Sequence, residues 1–164
     1  MIWSEPKVRR AGTLSTVKGT FFRAVDARYR SGVLSGSTKG GRYSRPGQPT
    51  LYLSASDAGV SAAMIAHSAP DDQRVVLAFQ VQASQIYDLR VPDLLERVRK
   101  DAGDPLSDWQ QIVASGGEPP SWRAREWIEH TGARGLIDPS RRAPGLWHLV
   151  LFAWDVPDGP MVEG

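Results

Sequence analysis

Three stretches of this chain place residues with binding or catalytic chemistry beside glycines or at the ends of apolar runs. In "GTFFRAV", Arg23 interrupts an otherwise apolar segment. A guanidinium in such company must meet an anion or reach solvent, so it suits a structural ion pair as well as an anionic ligand. In "GGRYSRPGQPTLYLS", residues 40–54, two glycines allow close backbone approach, Arg42 adds a forked cationic donor and Tyr43 adds a ring. Tyr52 follows Arg42 by ten residues, placed either to project into the same cleft or to pack in the core. In "DPSRRAPG", the Ser140 hydroxyl suits a ligand contact or a turn cap. Together these stretches describe a wall of a small-molecule site; taken singly, each also has a structural reading.

Other chemistries find little support. The chain has no cysteine, which removes disulfides, thiolate metal sites and a cysteine nucleophile. His67, His130 and His148 are scattered, with no metal-ligand spacing and no shared helix face. "GVLSGSTKGG" lacks the glycine, lysine and hydroxyl order of a phosphate-binding loop, and no GxSxG elbow occurs. With 20 Lys and Arg against 18 Asp and Glu, the net charge is +2. Such a slight excess makes individual arginines matter more than an overall basic field.

The elements that must position these residues belong to one domain. At 164 residues, 41% hydrophobic and 23% charged, with six tryptophans, the chain can bury a core unaided. Residues 1–18 are expected to form an ordered arm or short leading strand, 19–154 the domain, and 155–164 a loose tail. A strand from Gly19 leads into a long Gly, Ser and Pro-rich loop, then the short strand "TLYL". Ser54 and Asp57 open a helix through about His67, whose inward face carries Val60, Ala63, Met64 and His67. "RVVLAFQV" and "SQIYDL" read as two strands. Three helices follow, in "VPDLLERVRKDAG", "LSDWQQIVASGG" and "SWRAREWIEHTG", the last capped by Ser121. "ARGLIDPS" and "LWHLVLFAW" close as strands. This order lacks βαβ alternation and predicts an α+β fold. With no apolar signal core and no membrane-length run, the expected location is cytoplasmic.

Taken in order, "FFRAV", "GGRYSRPGQPTLYLS" and "GARGLIDPSRRAPGLWHLVLF" resemble the RES domain, over roughly residues 19–154. The family carries an arginine in its opening strand, a "GxRW…G…LY" pattern and a "GLxxPS" turn before a closing strand. The resemblance implies an ADP-ribosyltransferase-like twisted β-sheet core with flanking helices. It also implies a toxin that acts on NAD as substrate, without a metal, by hydrolysis, phosphorolysis or transfer of ADP-ribose to a protein acceptor. It further implies an Xre-like antitoxin that occludes the site and provides the only link to nucleic acid. On this reading Arg23, Arg42, Tyr43, Tyr52 and Ser140 line the NAD site, with Arg23 and Arg42 on the pyrophosphate and Tyr43 and Tyr52 on the nicotinamide side; Arg42, Tyr52 and Ser140 are also the candidate catalytic residues.

One departure from the family stands out. Its catalytic glutamate comes about eleven residues after the motif tyrosine, and that count from Tyr52 reaches Ala63, between the equally nonionisable Ala62 and Met64. Three readings follow. Another carboxylate, from among Asp57, Glu126, Glu129 and Asp138, takes the role; or the chain is an inactivated form of a toxic enzyme; or it is a natural variant that only binds a nucleotide or a partner. A module whose arginines contact nucleic acid or protein is the reading from outside enzymology.

Overall fold

Alternating apolar residues make the strands and helical repeats make the helices, and the pairing of the strands then decides which side chains face which layer. The computed structural model describes residues 4–36, 39–56, 58, 74–141 and 143–164. The elements run β1 (Lys7–Ala11), β2 (Leu14–Asp26), a 3-10 segment (Ala27–Ser35), β3 (Leu51–Ser54), β4 (Arg74–Asp88), α1 (Pro92–Asp101), α2 (Trp109–Ala114), α3 (Pro120–His130), β5 (Gly135–Pro139), β6 (Trp147–Leu151) and β7 (Met161–Glu163). The fold is α+β, as the order of elements predicts. The helix expected from Ser54 to about His67, with Asp57 and Ala63, lies outside the described residues. Among those described, no helix is long and apolar enough to cross a membrane.

β2 pairs with both β3 and β4, while β3, β6, β5 and β4 pair in turn, so five strands close on themselves. The β4–β5 pairing is parallel, and the crossover that a parallel pair requires carries α1, α2 and α3. Phe21, Leu53, Phe79, Ile137 and Leu149 fill the inside of the closed sheet. Tyr43, Tyr87, Leu94, Ile128, Leu136 and Val150 form a second core outside it, beneath α1 and α3. Because successive strand residues point to opposite faces, Tyr52, Ser54, Asp138 and His148 point outward while Leu53, Ile137 and Leu149 point inward.

Several elements differ from the expectation. The two strands predicted in "RVVLAFQV" and "SQIYDL" are one, β4. Its register on β2 slips between Val17↔Ala83 and Ser15↔Ile86, and Gln85 takes φ 60. One extra residue there lets Ala83 and Ile86 both face inward and turns Tyr87 toward the helices. The short leading strand expected within residues 1–18 is β1, and it forms a hairpin with the start of β2 around Gly12, at φ 70. The tail is not loose, since β7 pairs with β4 and buries Val162. The long loop opens with the 3-10 segment, where the Asp26 side chain accepts from the Arg28 amide at 2.9 Å. Ser121 does not cap α3. Pro119 holds that position and Pro120 starts the helix, with ring-fixed φ and no amide hydrogen to satisfy.

The stretch from Gly41 to Thr50 has little regular structure of its own, and α3 holds it in place. Arg125 is 4% exposed. Its Nη1 donates to the Tyr43 carbonyl at 3.0 Å and to Thr50 Oγ1 at 2.6 Å, and its Nε donates to Glu129 at 2.7 Å. The guanidinium also lies 4.6 Å from the centre of the Phe152 ring. Trp122 Nε1 donates to the Gly41 carbonyl at 2.8 Å, and Arg45 bridges to Glu118 and Glu126. The buried arginine dominates this set, because removing it strands two acceptors and leaves a hole. Arg125→Ala is expected to lower the unfolding free energy by about 3 to 5 kcal/mol, with Arg125→Lys recovering little of the loss because an ammonium cannot reproduce the fork. Urea denaturation of the two variants measures this; a loss below about 1 kcal/mol in the alanine variant would contradict it.

Candidate functional site

The glycines at the start of "GGRYSRPGQPTLYLS" serve a hydroxyl. A Cβ at Gly41 would lie 2.6 Å from the Tyr52 hydroxyl, closer than real Cβ atoms come, and a tight 3.0 Å from Ser44 Oγ. That open space lets the Tyr52 hydroxyl accept from the Tyr43 amide at 3.1 Å and share a hydrogen bond with Ser44 Oγ at 2.8 Å. Burial holds the Tyr52 phenol above its usual pKa, so it stays neutral as this network needs. The backbone turns sharply at the same point, with Gly41 and Ser44 bridged.

This turn brings Arg42 and Tyr43 to the C-terminal end of β5. Tyr43 is wholly buried, so it does not form an open ring wall as the sequence suggested. It reaches the site through its hydroxyl, which donates to Asp138 Oδ1 at 2.5 Å. Burial, with the Asp138 charge beside it, keeps this phenol protonated well above its usual value. Arg42 is half-buried and its Nη1 donates to the carbonyls of Pro105 at 3.2 Å and Ser107 at 2.6 Å. Arg141 donates to the same Ser107 carbonyl at 3.0 Å. Two guanidinium groups therefore converge on one neutral oxygen, and both of their charges act on Asp138.

Asp138 is the carboxylate at the centre of this cluster. Burial pushes it up to about 6, against the opposing pull of the Tyr43 hydrogen bond and of Arg42 and Arg141. Of the other candidates, Glu126 is engaged by Arg45 and Glu129 by Arg125; Asp57 lies outside the described residues.

Arg23 does not join these side chains. It lies two residues after the inward-facing Phe21 on the same strand, so it points to the inside of the closed sheet. There its Nη1 donates to the Tyr52 carbonyl at 3.1 Å. Its Nε is buried without a partner among the described residues, and burial lowers its pKa. Ser140 stands two residues beyond Asp138, where its Oγ accepts from the Ala143 amide at 3.2 Å, the turn-capping arrangement. Sequence reasoning missed Arg141 and Arg125: the first sat beside Ser140 without a motif of its own, and the second, paired four residues on with Glu129, has the pattern of a surface helix pair.

Two expectations follow from this geometry. Gly41→Ala is expected to displace the Tyr52 hydroxyl and cost about 1 to 3 kcal/mol, read by urea denaturation; an unchanged midpoint would show that the space is not needed. For Asp138, folding raises the pKa from 3.8 to about 6 and so disfavours the charged form. The native state is thus best favoured when the group is protonated, below about pH 4, and loses about 3 kcal/mol as pH rises through 6. Asp138→Asn keeps an acceptor for Tyr43 and removes the charge. It is expected to raise the unfolding free energy by about 2 to 3 kcal/mol at pH 7.5 and to change it little at pH 4. Equal effects at both pH values would contradict the assignment.

Comparison with known proteins bears on the whole of this architecture. No curated protein matches the sequence. Among solved structures, a chain of the crystal structure of the M. tuberculosis MbcT-MbcA toxin-antitoxin complex shares the fold, with a TM-score of 0.52 and 19% identity over 82% of this chain and 73% of that one. The family model described as the RES domain matches residues 20–163, from within β2 to the last residue of β7. The strand that carries Arg23, the turn of Arg42 and Tyr43, and the β5–β6 end that carries Asp138 and Ser140 all lie inside this span: the chain belongs to the RES-domain family.

Proposed function

We propose that this chain is the toxin of a toxin-antitoxin pair and that it breaks the nicotinamide-ribose bond of NAD, either degrading NAD by hydrolysis or phosphorolysis or passing ADP-ribose to a protein. The observation that carries the reading is the convergence of Arg42, Arg141, Tyr43 and Asp138 on one outer face, within a chain that belongs to the RES-domain family. The solved relative with this fold was crystallised as part of a toxin-antitoxin complex, which supports an antitoxin as partner. We take that partner to be Xre-like and to cover this site in the cytoplasm, with nucleic acid met only through it.

Each residue has a part in this chemistry. Arg42 and Arg141 give up backbone carbonyls to the diphosphate of NAD, for which forked donors are suited. Tyr52, anchored by Ser44 and the Tyr43 amide, lends its partly open ring to the nicotinamide side. Arg23, just through the sheet, adds positive charge from the inner face. Ser140 holds the turn that follows Asp138. Breaking the bond sends its electron pair to the pyridinium nitrogen, releases neutral nicotinamide and leaves an oxocarbenium-like ribose. Where the count from Tyr52 places the family glutamate, this chain has Ala63, and we assign the stabilising carboxylate to Asp138. With its pKa raised to about 6, it is mostly ionised at neutral pH and incompletely solvated, which strengthens its action on a nearby cation.

Proton NMR of purified chain with NAD is expected to show free nicotinamide growing in, and Asp138→Asn is expected to slow that growth on the order of 100-fold while binding NAD with similar affinity by calorimetry. Wild-type release that persists in the variant would remove Asp138 from the role. Binding of NAD without release, by either protein, would favour a nucleotide-binding variant of the fold. If NAD neither binds nor reacts, the reading fails.

A further inference from the structure

The sheet register places a histidine between two polar neighbours at the site. In β6, His148 pairs with Ser54 of β3 on one side and with Asp138 of β5 on the other. All three point to the outer face, so directly opposed side chains stand about 5 Å apart at Cβ. His148 is half-buried on the middle strand of the row. Among the described residues, no hydrogen bond or ion pair reaches its ring. An imidazole held in a packed sheet with both nitrogens unused is a poor structural choice. The same position in an ordinary sheet would suit an apolar residue such as Val150, two places along on the same face.

We propose that His148 is the general base of the reaction, taking the proton of the oxygen nucleophile that captures the ribose cation. The inference rests on the proposed NAD cleavage and deepens it, since that reading assigns no group to the nucleophile. When the nicotinamide-ribose bond breaks, its electron pair leaves with nicotinamide. A water or other hydroxylic acceptor forms the new bond from its oxygen to the ribose anomeric carbon, and its proton passes to the free imidazole nitrogen. The resulting imidazolium stands beside the Asp138 carboxylate, which is ionised at neutral pH and stabilises it. Burial lowers the pKa of His148 below its ordinary value, so the ring is free to accept at neutral pH. Ser54, 6% exposed, lies on the opposite side and offers a hydroxyl to orient the acceptor.

The test compares wild type, His148→Ala and His148→Gln at fixed neutral pH, reading nicotinamide release by NMR and NAD affinity by calorimetry, with and without added imidazole. A general base contributes about 100-fold or more. Both variants are expected to lose at least that in kcat while binding NAD within about twofold of wild type, and imidazole is expected to restore part of the rate to His148→Ala but none to His148→Gln, whose side chain fills the space. Wild-type rates in either variant would overturn the assignment. So would a loss of NAD affinity equal to the loss of rate without imidazole rescue, which marks a structural role. A wild-type chain that releases no nicotinamide overturns NAD cleavage itself, and this inference with it; the failure of the base alone is seen only against an active wild type.

Discussion

A buried guanidinium must spend its donors, and in this protein that requirement organises the site. Arg125 satisfies it with the Tyr43 carbonyl, the Thr50 hydroxyl and Glu129. Those contacts clamp both ends of a proline- and glycine-rich stretch that could not hold one shape alone. With that stretch pinned to α3, Tyr43 lies beneath the sheet's outer face with its hydroxyl on Asp138, and Arg42 projects toward the Pro105 and Ser107 carbonyls. The cost of burying the arginine is offset by the precision it imposes on residues that carry no regular structure.

Closure of the sheet supplies the second constraint. Five strands pairing in a ring separate an apolar inside from an outside shared between helices and polar groups. Register then decides chemistry: on β3, β6 and β5 the same alternation that buries Leu53, Leu149 and Ile137 delivers Ser54, His148 and Asp138 to one row. It also separates Arg23 from that row by the thickness of a sheet, although its guanidinium touches the Tyr52 carbonyl. A shift of one residue in any of these strands would exchange the inside for the outside. The site is therefore tied to the core and cannot drift independently of it. Asp138, kept partly desolvated beside two arginines, shows the usual cost of such a position in stability.

Much of this was legible in the sequence, and what was not has physical causes. Apolar runs announced the second half of β2 and the two halves of β4, helical repeats announced α1, α2 and α3, and the mix of elements announced the α+β class. The spacing of Arg42, Tyr43 and Tyr52 suggested a shared cleft; the Tyr43 amide does meet the Tyr52 hydroxyl, but Tyr43 is wholly buried and offers no open ring. Short edge strands such as β7 bury a single Val162, too weak a signal to distinguish from a tail. The bend at Gln85 is a backbone event with no glycine to mark it. Four carboxylates were equal in the sequence because nothing local distinguishes a solvated Glu126 from an enclosed Asp138; cross-strand register does. Arg125 escaped notice for the same reason, since its partners are 75 and 82 residues away.

We propose that one outer face, bounded by Arg42, Arg141, Asp138 and His148, receives NAD. A crystal structure of the Asp138→Asn variant with NAD bound tests this most directly. The diphosphate is expected on the Arg42 and Arg141 guanidinium groups, in place of the Pro105 and Ser107 carbonyls, and the nicotinamide-bearing ribose carbon in contact with residues 138 and 148. NAD bound away from this face, or bound here with its diphosphate turned from both arginines, would contradict it.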